Sequence, residues 1–515
     1  MPKALVINHN LRASEIWLKT LEEILGHEPE QAMHLERAAS RLKNAPRDYS
    51  LVVLPADARR DADAMGSSDC EAAVEFISAL HQSHRSLPVI VISETKHAAL
   101  HLLAQTIERM ALIESQADWR ECLADRAWQM VSSTVDQEPE VDVEIRITSD
   151  RICTWSMKER GRITAHTFRD EQLFIDSDRF GAVQQMRCPP KVPAEFAMWS
   201  DNLAKNVHAM LFQGAYDQLK FHGHFVDTTA KFPLERTRVR ICASFDSHHD
   251  MHLDVFRRLY DDPEPMMLRS PVIRQHGSRR TNRPLFSPDC PLRCLIILAR
   301  DADTTIMGEQ GQVVFPGLQS ALFEARDVEE IFKTVAEIEP TLIDPRHVEL
   351  LKFKPGDDVR KKLFETLEKG PWHLIHFVGH GRTVPNPVKS EPAQRGELLL
   401  CSRDLTFVDF EDFAREIANQ DTRFLFLSAC QTAQGAFLSA AAHWMLPTVI
   451  GYRWPIEDSS AKVFAKVFYK ALLAARQPTR LSVERSFVAA RASAYRASAT
   501  DCTWASPALL HQIDY

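Results

Sequence analysis

Short apolar runs alternate with amphipathic segments over the first 135 residues. The runs KALVIN, LVVLP and LPVIVIS have the length and β-branched content of buried strands, whereas ASEIWLKTLEEILG and CEAAVEFISALHQSH repeat apolar residues at helical spacing. Strands that alternate with helices are typical of a parallel sheet with helices on both faces. The pattern therefore predicts a doubly wound α/β domain at residues 1–135.

The same alternation returns with stronger signals at residues 284–515. Its strands, CLIILA, HLIHFVG, RFLFLSA and PTVIGYRW, are continuous apolar runs. Such runs are typical of central strands that are buried on both faces of a parallel sheet. Long amphipathic segments lie between and after them, so we predict a second α/β domain here.

Residues 138–283 mix strand and helix signals. The acidic stretch DQEPEVD predicts a linker after the first domain. Two strand-like runs follow it, and FAMWSDNLAKNVHAMLF and DVFRRLYDD have helical spacing on either side of the strand TRVRICASFD. We expect a mixed α/β middle region without a catalytic signature of its own.

Composition adds a few exclusions. The chain has 515 residues, of which 45% are hydrophobic and 26% charged, so it can form large cores. A net charge of −8 gives no overall basic field, and we expect no nucleic-acid partner. The start lacks signal-peptide features and no run of about 18 apolar residues occurs, so we expect no membrane association. Ten thinly spread cysteines suit reduced thiols, which favours a cytoplasmic protein.

The first domain resembles a response-regulator receiver domain in the order and length of its elements. The residues that carry receiver chemistry are replaced, however. Asn8, His9 and Asn10 stand where that family has an acidic pair, and Pro55 stands where its phospho-accepting aspartate follows the strand. We predict a pseudo-receiver that docks a partner or dimerises, with a working phosphoswitch as the alternative.

Two further stretches invite functional interpretations. DSHHDMH (246–252) contains three histidines and two aspartates, but ligands packed so tightly cannot all converge, and no second ligand cluster accompanies them. We therefore expect a solvated loop there, with no metal site and no cofactor. The basic stretch 274–284 is either an inter-domain linker or a segment cut by a basic-specific protease, which could be this protein itself, with Arg279, Arg280 and Arg283 as candidate self-processing sites. A phosphate-binding patch ranks third.

The strongest chemical signal lies at the ends of two buried strands. HLIHFVG ends at His380 and RFLFLSA ends at Cys430, fifty residues later (430 − 380 = 50). Chemistry in parallel sheets gathers beyond the carboxyl ends of the strands. A thiol beside an imidazole or a helix start has a lowered pKa and is nucleophilic as the thiolate. The stretch QTAQGAFLSAAAHWM after Cys430 predicts a helix, so we expect both effects to lower the pKa of Cys430. Gly381 and Cys430 could donate backbone N–H groups to an oxyanion.

The alternative is a structural cysteine near a core histidine. The pairing at two strand ends, with a spacing close to the roughly fifty residues found in caspases, favours catalysis. The motifs HFVGHG, LFLSACQT, VIGYRWPIEDSSAKVFAKVFYKAL and WASPALL, together with the hairpin ELLLCSRDLTFVDF, then resemble a CHAT domain, a caspase-like peptidase family related to caspases and separases. The resemblance covers residues 285–515 and extends weakly into the middle region.

The resemblance implies specific roles. His380 would be the general acid/base, Cys430 the nucleophile and Gly381 an oxyanion donor, whereas His376 is expected to be a packed core residue. Asp458 matches an acidic residue that lines the pocket for a basic side chain in separases, which implies cleavage after Arg or Lys. Asp is also a good helix cap, and both interpretations of Asp458 remain open.

The expected function is that of a cysteine endopeptidase acting on protein substrates. Members of the family are often latent until a partner or an upstream protease activates them, and they act in bacterial signalling and antiviral defence. The alternative is a catalytically silent adaptor that uses both folds for protein interaction.

Overall fold

The structure of the protein is a computed structural model. It describes residues 3–8, 15–19, 21, 29–44, 49–58, 70–83, 89–93, 99–100, 110–114, 139, 141–147, 152–159, 173–174, 177–186, 189–190, 192–213, 216–231, 234, 237–243, 252–276, 290–299, 304–308, 311–315, 317–353, 357–386, 394–401, 406–474 and 480–512. The chain divides into two compact units, Met1–Gln137 and Glu138–Tyr515.

The first unit contains a parallel sheet in the order β2-β1-β3-β4-β5 within its described residues. Its elements are β1 (Lys3–Ile7), β2 (Glu30–Ala32), α1 (Leu35–Asn44), β3 (Tyr49–Pro55), α2 (Glu71–Ser83), β4 (Val89–Ser93) and β5 (Met110–Glu114). This is the flavodoxin-like order, which receiver domains share. The predicted doubly wound fold is therefore confirmed.

The carboxyl edge of this sheet carries few acidic groups among the described residues. Asn8 follows β1 and is buried, Pro55 ends β3, and Asp57 is exposed beyond it. Ser93 ends β4 and is buried. His9 and Asn10 lie outside the described residues. The arrangement agrees with the substitutions on which the pseudo-receiver prediction rests, and that prediction stays a prediction.

The second unit is organised around a large mixed sheet. Its elements are β6 (Val141–Ile147), β7 (Ile152–Glu159), β8 (Leu173–Phe174), α3 (Ser177–Gln185), α4 (Pro193–Phe212), α5 (Tyr216–Lys231), β9 (Thr237–Ala243), β10 (Val272–His276), β11 (Leu292–Leu298), β12 (Thr304–Gly308), β13 (Gly311–Phe315), α6 (Ala321–Ile338), β14 (Ile343–Lys352), α7 (Val359–Glu368), β15 (Leu374–Val378), β16 (His380–Pro385), β17 (Gln394–Cys401), β18 (Thr406–Asp409), α8 (Phe410–Asn419), β19 (Phe424–Ser428), α9 (Gly435–His443), β20 (Thr448–Tyr452), α10 (Asp458–Leu473), α11 (Arg480–Ala497) and β21 (Pro507–His511), with 3₁₀ turns at Met266–Leu268 and Cys502–Trp504.

One sheet joins the middle region to the C-terminal region. In the described residues its order is β14-β11-β15-β19-β20-β21-β10-β9-β6-β7-β8. The closing strand β21 pairs antiparallel with β20 and parallel with β10, so it lies between strands from the two regions. The boundary expected at residues 283/284 therefore runs through a continuous sheet.

The central strands are covered on both faces, as their apolar runs predict. Helices α6, α10 and α11 pack on one face of the strands, and α7, α8 and α9 pack on the other. Neighbouring residues of β11 show the alternation, because Ile296 faces the first group of helices and Ile297 the second. A small antiparallel sheet, β16-β17-β18, begins directly after β15.

Two predictions for the middle region are wrong. The segment DVFRRLYDD is not a helix but a series of turns and extended residues that buries Asp254 and Phe256. His252, at the end of DSHHDMH, is not solvated: it is 3% exposed and packs edge-on against Trp454, with ring centroids 4.7 Å apart. The rest of that stretch lies outside the described residues.

The described residues contain no group of three or more His, Cys, Asp or Glu side chains placed to hold a metal ion. No helix among them is long and apolar enough to cross a membrane.

Candidate active site

The register of two neighbouring strands brings His380 and Cys430 to one edge of the sheet. Strands β15 and β19 are parallel partners, with Val378 opposite Ser428. The Gly379 N–H donates to the Ser428 carbonyl oxygen at 3.2 Å, which extends the pairing by one residue. His380 and Cys430 each follow that pair by two residues. Both side chains are half-buried at the carboxyl edge, where the sequence places them.

Gly381 passes directly against the cysteine turn. A Cβ atom added at this glycine would lie 2.7 Å from the Cys430 carbonyl oxygen and 2.7 Å from Thr432 Cγ2. Because Cβ atoms essentially never approach a backbone oxygen so closely, a glycine is needed for this contact. Strand β16, which begins at His380, is thereby held against the turn that carries Cys430.

The turn after Cys430 is strained and well anchored. Gln431 has a φ of 62°, in the left-handed region that residues other than glycine rarely adopt. Its side-chain Oε1 accepts a hydrogen bond from the Thr383 N–H at 3.3 Å. Thr432 Oγ1 donates to the Ala429 carbonyl oxygen at 2.7 Å and accepts from the Tyr452 N–H at 3.2 Å. The turn is thus tied to both β16 and β20.

Gln434 connects the same elements a second time. Its Oε1 accepts from Thr383 Oγ1 at 2.9 Å, and its Nε2 donates to the Arg453 carbonyl oxygen at 3.1 Å. Gln434 is also the N-cap residue of α9, which begins at Gly435. Cys430 therefore lies five residues before the helix. The dipole of a helix acts within its first turn. The expectation that a helix start lowers the pKa of Cys430 is therefore wrong.

The electrostatic surroundings of Cys430 differ from the expectation. Burial raises the pKa of the thiol, and a hydrogen bond from the Ile456 backbone N–H to the sulfur offsets part of this rise. The predicted lowering of the pKa is thus wrong in direction. Cys430 is therefore mainly a neutral thiol at pH 7, and a reaction at its sulfur would need a neighbouring base to remove the proton.

Asp458 lies near this edge, but its carboxylate has a structural partner. It is the first residue of α10, and Glu457 is the N-cap residue. Asp458 Oδ2 accepts from the Ser320 N–H at 2.6 Å and so ties the start of α10 to the start of α6. Ile456, whose N–H contacts Cys430, lies two residues before it. The pocket role of Asp458 stays a prediction.

The remaining predicted residues divide clearly. His376 is fully buried, and its ring nitrogens bond to Glu324 Oε1 at 3.1 Å and the Tyr469 hydroxyl at 3.2 Å, so its predicted core role is confirmed. Arg279, Arg280 and Arg283 lie outside the described residues. No sequence pattern points to Ile456 or Gln434, because Ile456 contacts Cys430 through its backbone N–H and Gln434 acts through contacts distant in sequence.

Comparison with protein families finds a match to the CHAT domain over residues 209–511. The match begins well before residue 284, in agreement with the sheet that joins the two regions. No curated protein matches the chain in sequence.

Three solved structures show distant likenesses. NtrX of Brucella abortus in complex with ADP has 15% identity and a TM-score of 0.20, covering 48% of this chain and 52% of that one. The separase–securin complex of Saccharomyces cerevisiae has 8% identity and a TM-score of 0.35, covering 98% and 40%. The lysine decarboxylase LdcF of Francisella novicida has 10% identity and a TM-score of 0.21, covering 73% and 46%. The chain thus spans about half, or less, of each structure, and likenesses this weak carry no argument about function.

Proposed function

The chain belongs to the CHAT domain family, and on that premise we propose that it is a cysteine endopeptidase that cleaves protein substrates. The observation that carries the proposal is the register of β15 and β19, which brings His380 and Cys430 to the same sheet edge. The close contact of Gly381 with the Cys430 turn supports it.

The proposed reaction begins with a neutral thiol. His380 removes the proton of Cys430 as the sulfur attacks the carbonyl carbon of the scissile peptide. The N–H groups of Gly381 and Cys430 donate hydrogen bonds to the oxyanion that forms. When the C–N bond breaks, His380 returns the proton to the leaving amine. His380 then deprotonates a water molecule, which attacks the thioester carbon; the carbon–sulfur bond breaks, the acid product leaves, and His380 returns the proton to the Cys430 sulfur.

Gly381→Ala tests the contact between β16 and the cysteine turn. The added methyl group must displace backbone, which we expect to cost about 1–3 kcal/mol of stability and to lower kcat/KM about 100-fold through misplacement of the reacting groups. Gly396→Ala is the matched control, because its Cβ would instead meet the Phe437 ring at 2.8 Å. It should cost similar stability and leave kcat/KM nearly unchanged. Equal activity losses in both variants would contradict the role of Gly381.

We propose that Asp458 selects a basic residue, Arg or less favourably Lys, on the amino side of the cleaved bond. A carboxylate that pairs with a guanidinium in a half-buried pocket gives strong, directional recognition. Asp458→Asn should therefore lower kcat/KM for arginyl peptides by about 30-fold or more and leave cleavage after apolar residues unchanged. Glu457→Gln, at the exposed neighbouring residue, is the control. If Asp458→Asn lowers kcat/KM for arginyl and apolar peptides alike and also lowers the melting temperature, Asp458 has only the structural contact to Ser320.

We further propose that the peptidase is latent until a partner or an upstream protease activates it, in bacterial signalling or antiviral defence. The family resemblance and the basic stretch around Arg279, Arg280 and Arg283 support this. The receiver-like unit, with Pro55 in place of a phospho-acceptor, suits docking or dimerisation. Protein substrates and a regulatory protein are the partners that this function requires.

The experiment is cleavage of a fluorogenic peptide library in which the residue before the cleaved bond is varied. Wild type is assayed before and after limited proteolysis near residues 274–284, beside Cys430→Ala. The proposal is supported if wild type cleaves after Arg or Lys and Cys430→Ala does not cleave. If wild type cleaves no peptide before or after limited proteolysis, and Cys430 does not react with iodoacetamide, the adaptor function is favoured instead.

A further inference from the structure

The motif WASPALL lies beside the candidate active site, in a place that the proposed reaction leaves unexplained. Its first residue ends the 3₁₀ turn Cys502–Trp504, and its proline, Pro507, begins β21. Strand β21 pairs antiparallel with β20, with Pro507 opposite Tyr452. Just beyond this pair, Ser506 lies against the segment Arg453–Ile456, which leads from β20 to α10.

Ser506 continues the strand pairing with its side chain. Its carbonyl oxygen accepts from the Arg453 N–H at 3.0 Å, whereas its own N–H donates to the Cys502 carbonyl oxygen at 3.0 Å, inside the turn. The hydroxyl makes the next two contacts: it donates to the Trp454 carbonyl oxygen at 3.2 Å and accepts from the Trp454 N–H at 3.4 Å. Ser506 is fully buried, so both backbone groups of Trp454 would lose this partner if the hydroxyl were removed.

The segment that Ser506 holds ends in the peptide group that contacts Cys430. The carbonyl oxygen of this group, at Pro455, accepts from the Cys502 sulfur at 3.8 Å. The N–H of the same group, at Ile456, donates to the Cys430 sulfur. A hydrogen bond to the sulfur favours the thiolate over the thiol. The place of this segment therefore influences how easily Cys430 loses its proton, and Asp458 follows two residues later.

We propose that Ser506 is a positioning residue of the candidate peptidase site, whose hydroxyl holds the segment Arg453–Ile456 so that the Ile456 N–H meets the Cys430 sulfur. This role rests on the proposed function and acts through Ile456 rather than on the reacting atoms. When His380 removes the thiol proton, the Ile456 N–H stabilises the negative charge that appears on the sulfur. Without the hydroxyl, the segment loses two hydrogen bonds and holds this N–H less firmly against the sulfur.

Three variants of the full chain test the role of the hydroxyl. Ser506→Ala removes it, Ser506→Thr keeps it, and Thr422→Val is the matched control. Thr422 is 1% exposed, lies just before β19 at the opposite edge of the sheet, and donates its hydroxyl to the Trp372 carbonyl oxygen at 2.8 Å. Ser506→Ala and Thr422→Val each leave a buried carbonyl oxygen without that donor, so both should lower the melting temperature by similar amounts.

The first measurement is the rate at which iodoacetamide alkylates Cys430, followed by peptide mapping with mass spectrometry at a series of pH values. Ser506→Ala should slow this reaction at pH 7 about tenfold, because the thiolate loses the hydrogen bond from Ile456. The pKa of Cys430 then rises further, so the midpoint of the rate against pH should move to higher pH. Ser506→Thr and Thr422→Val should keep the rate and the midpoint of wild type.

The other titratable groups beside Cys430 leave this midpoint interpretable. Burial raises the pKa of the Cys502 thiol to about 11 and that of the Tyr452 hydroxyl well above its usual range, so both are neutral near pH 7. His380 is present in every variant and contributes equally to each. Cys294 is fully buried inside β11 and should stay unlabelled, so a label there identifies a variant that has unfolded.

The second measurement is cleavage of the library peptides by the same samples. Ser506→Ala should lower kcat/KM about tenfold for arginyl and apolar peptides alike, because it misplaces the nucleophile rather than the specificity residue. Asp458→Asn, in contrast, should affect the arginyl peptides alone.

The two measurements separate this proposal from the peptidase proposal. A Cys430 that is alkylated equally fast in Ser506→Ala and in wild type would overturn the positioning role, as would equal slowing in Ser506→Thr or in Thr422→Val. If wild type cleaves no peptide, but alkylation of Cys430 still depends on the Ser506 hydroxyl, only the peptidase proposal fails. If wild type cleaves and Ser506→Ala matches it in both measurements, only the positioning role fails.

Discussion

Replacing Cys430 with alanine is expected to lower peptide cleavage by about 10⁴-fold or more, because the reaction then has no nucleophile. His380→Ala should come close to the same loss. Burial raises the pKa of Cys430, so the thiol depends on a base for its ionisation. In a site with a pre-formed thiolate, loss of the histidine would leave more residual activity at high pH.

The double variant separates a working pair from two independent residues. Groups that act in one step are strongly non-additive, so Cys430→Ala with His380→Ala should be no slower than Cys430→Ala alone. These variants are compared by measuring kcat/KM of Cys430→Ala, His380→Ala and the double variant on the best library peptide. Cys290→Ser, at the other edge of the sheet, is the thiol control and should match wild type. Retention of a tenth or more of the activity by Cys430→Ala would contradict the assignment.

Asp254→Asn is expected to destabilise the second unit by about 3–5 kcal/mol, because it leaves buried guanidiniums without a counter-charge. Asp254 is 1% exposed and contacts three buried arginines. Its Oδ1 accepts from Arg274 at 3.0 Å, its Oδ2 accepts from Arg491 at 3.1 Å, and Arg453 donates to the same Oδ2. The cluster ties the middle region to the segment after β20.

The sign of the pH dependence follows from the same contacts. Burial alone would raise the pKa of Asp254, but the charges of Arg453, Arg274 and Arg491 outweigh it and hold the pKa well below its usual range. A carboxyl group whose pKa is lower in the folded protein stabilises the fold at every pH above its pKa in the unfolded chain. That pKa is about 4, and the stabilisation is lost as the pH falls below it. The contribution is therefore fully present at pH 7.

Urea unfolding at pH 7 measures the effect. Asp261→Asn, at an exposed position nearby, is the control and should change stability by less than about 0.5 kcal/mol. We also expect Asp254→Asn to reduce cleavage, because Arg453 precedes the segment that directs the Ile456 N–H to Cys430. If Asp254→Asn lowers the free energy of unfolding by less than about 1 kcal/mol, the three arginines have found other partners or are solvated by water.

The parts of the fold that the sequence predicts well are those where one pattern dominates. The strands β15, β19 and β20 are mostly apolar and are buried at every position, so the sequence pattern predicts both their burial and the polar residues that follow them. The sequence pattern does not predict the place of strand β21, because its pairing with β10 and β20 depends on contacts far apart in the chain. Its neighbours in space, rather than its own residues, determine where it lies.

Two errors have a common physical cause. In DVFRRLYDD the apolar spacing suggests a helix, but the ion pairs of buried Asp254 and the prolines at 263 and 265 favour turns. At Cys430 the neighbouring residues suggest a lowered pKa, but desolvation raises it. Both outcomes depend on burial by residues from other segments, which a local pattern does not contain.

Covalent capture of the nucleophile tests the central claim most directly. The full chain, after limited proteolysis where activation requires it, is treated with a peptidyl-arginine chloromethyl ketone and mapped by mass spectrometry. We predict one adduct, on Cys430, that forms much more slowly in His380→Ala and in Asp458→Asn. An adduct on Cys290 or Cys502 in its place, or an unlabelled Cys430 in a protein that cleaves the library, would contradict the assignment of Cys430 and His380 as the catalytic pair.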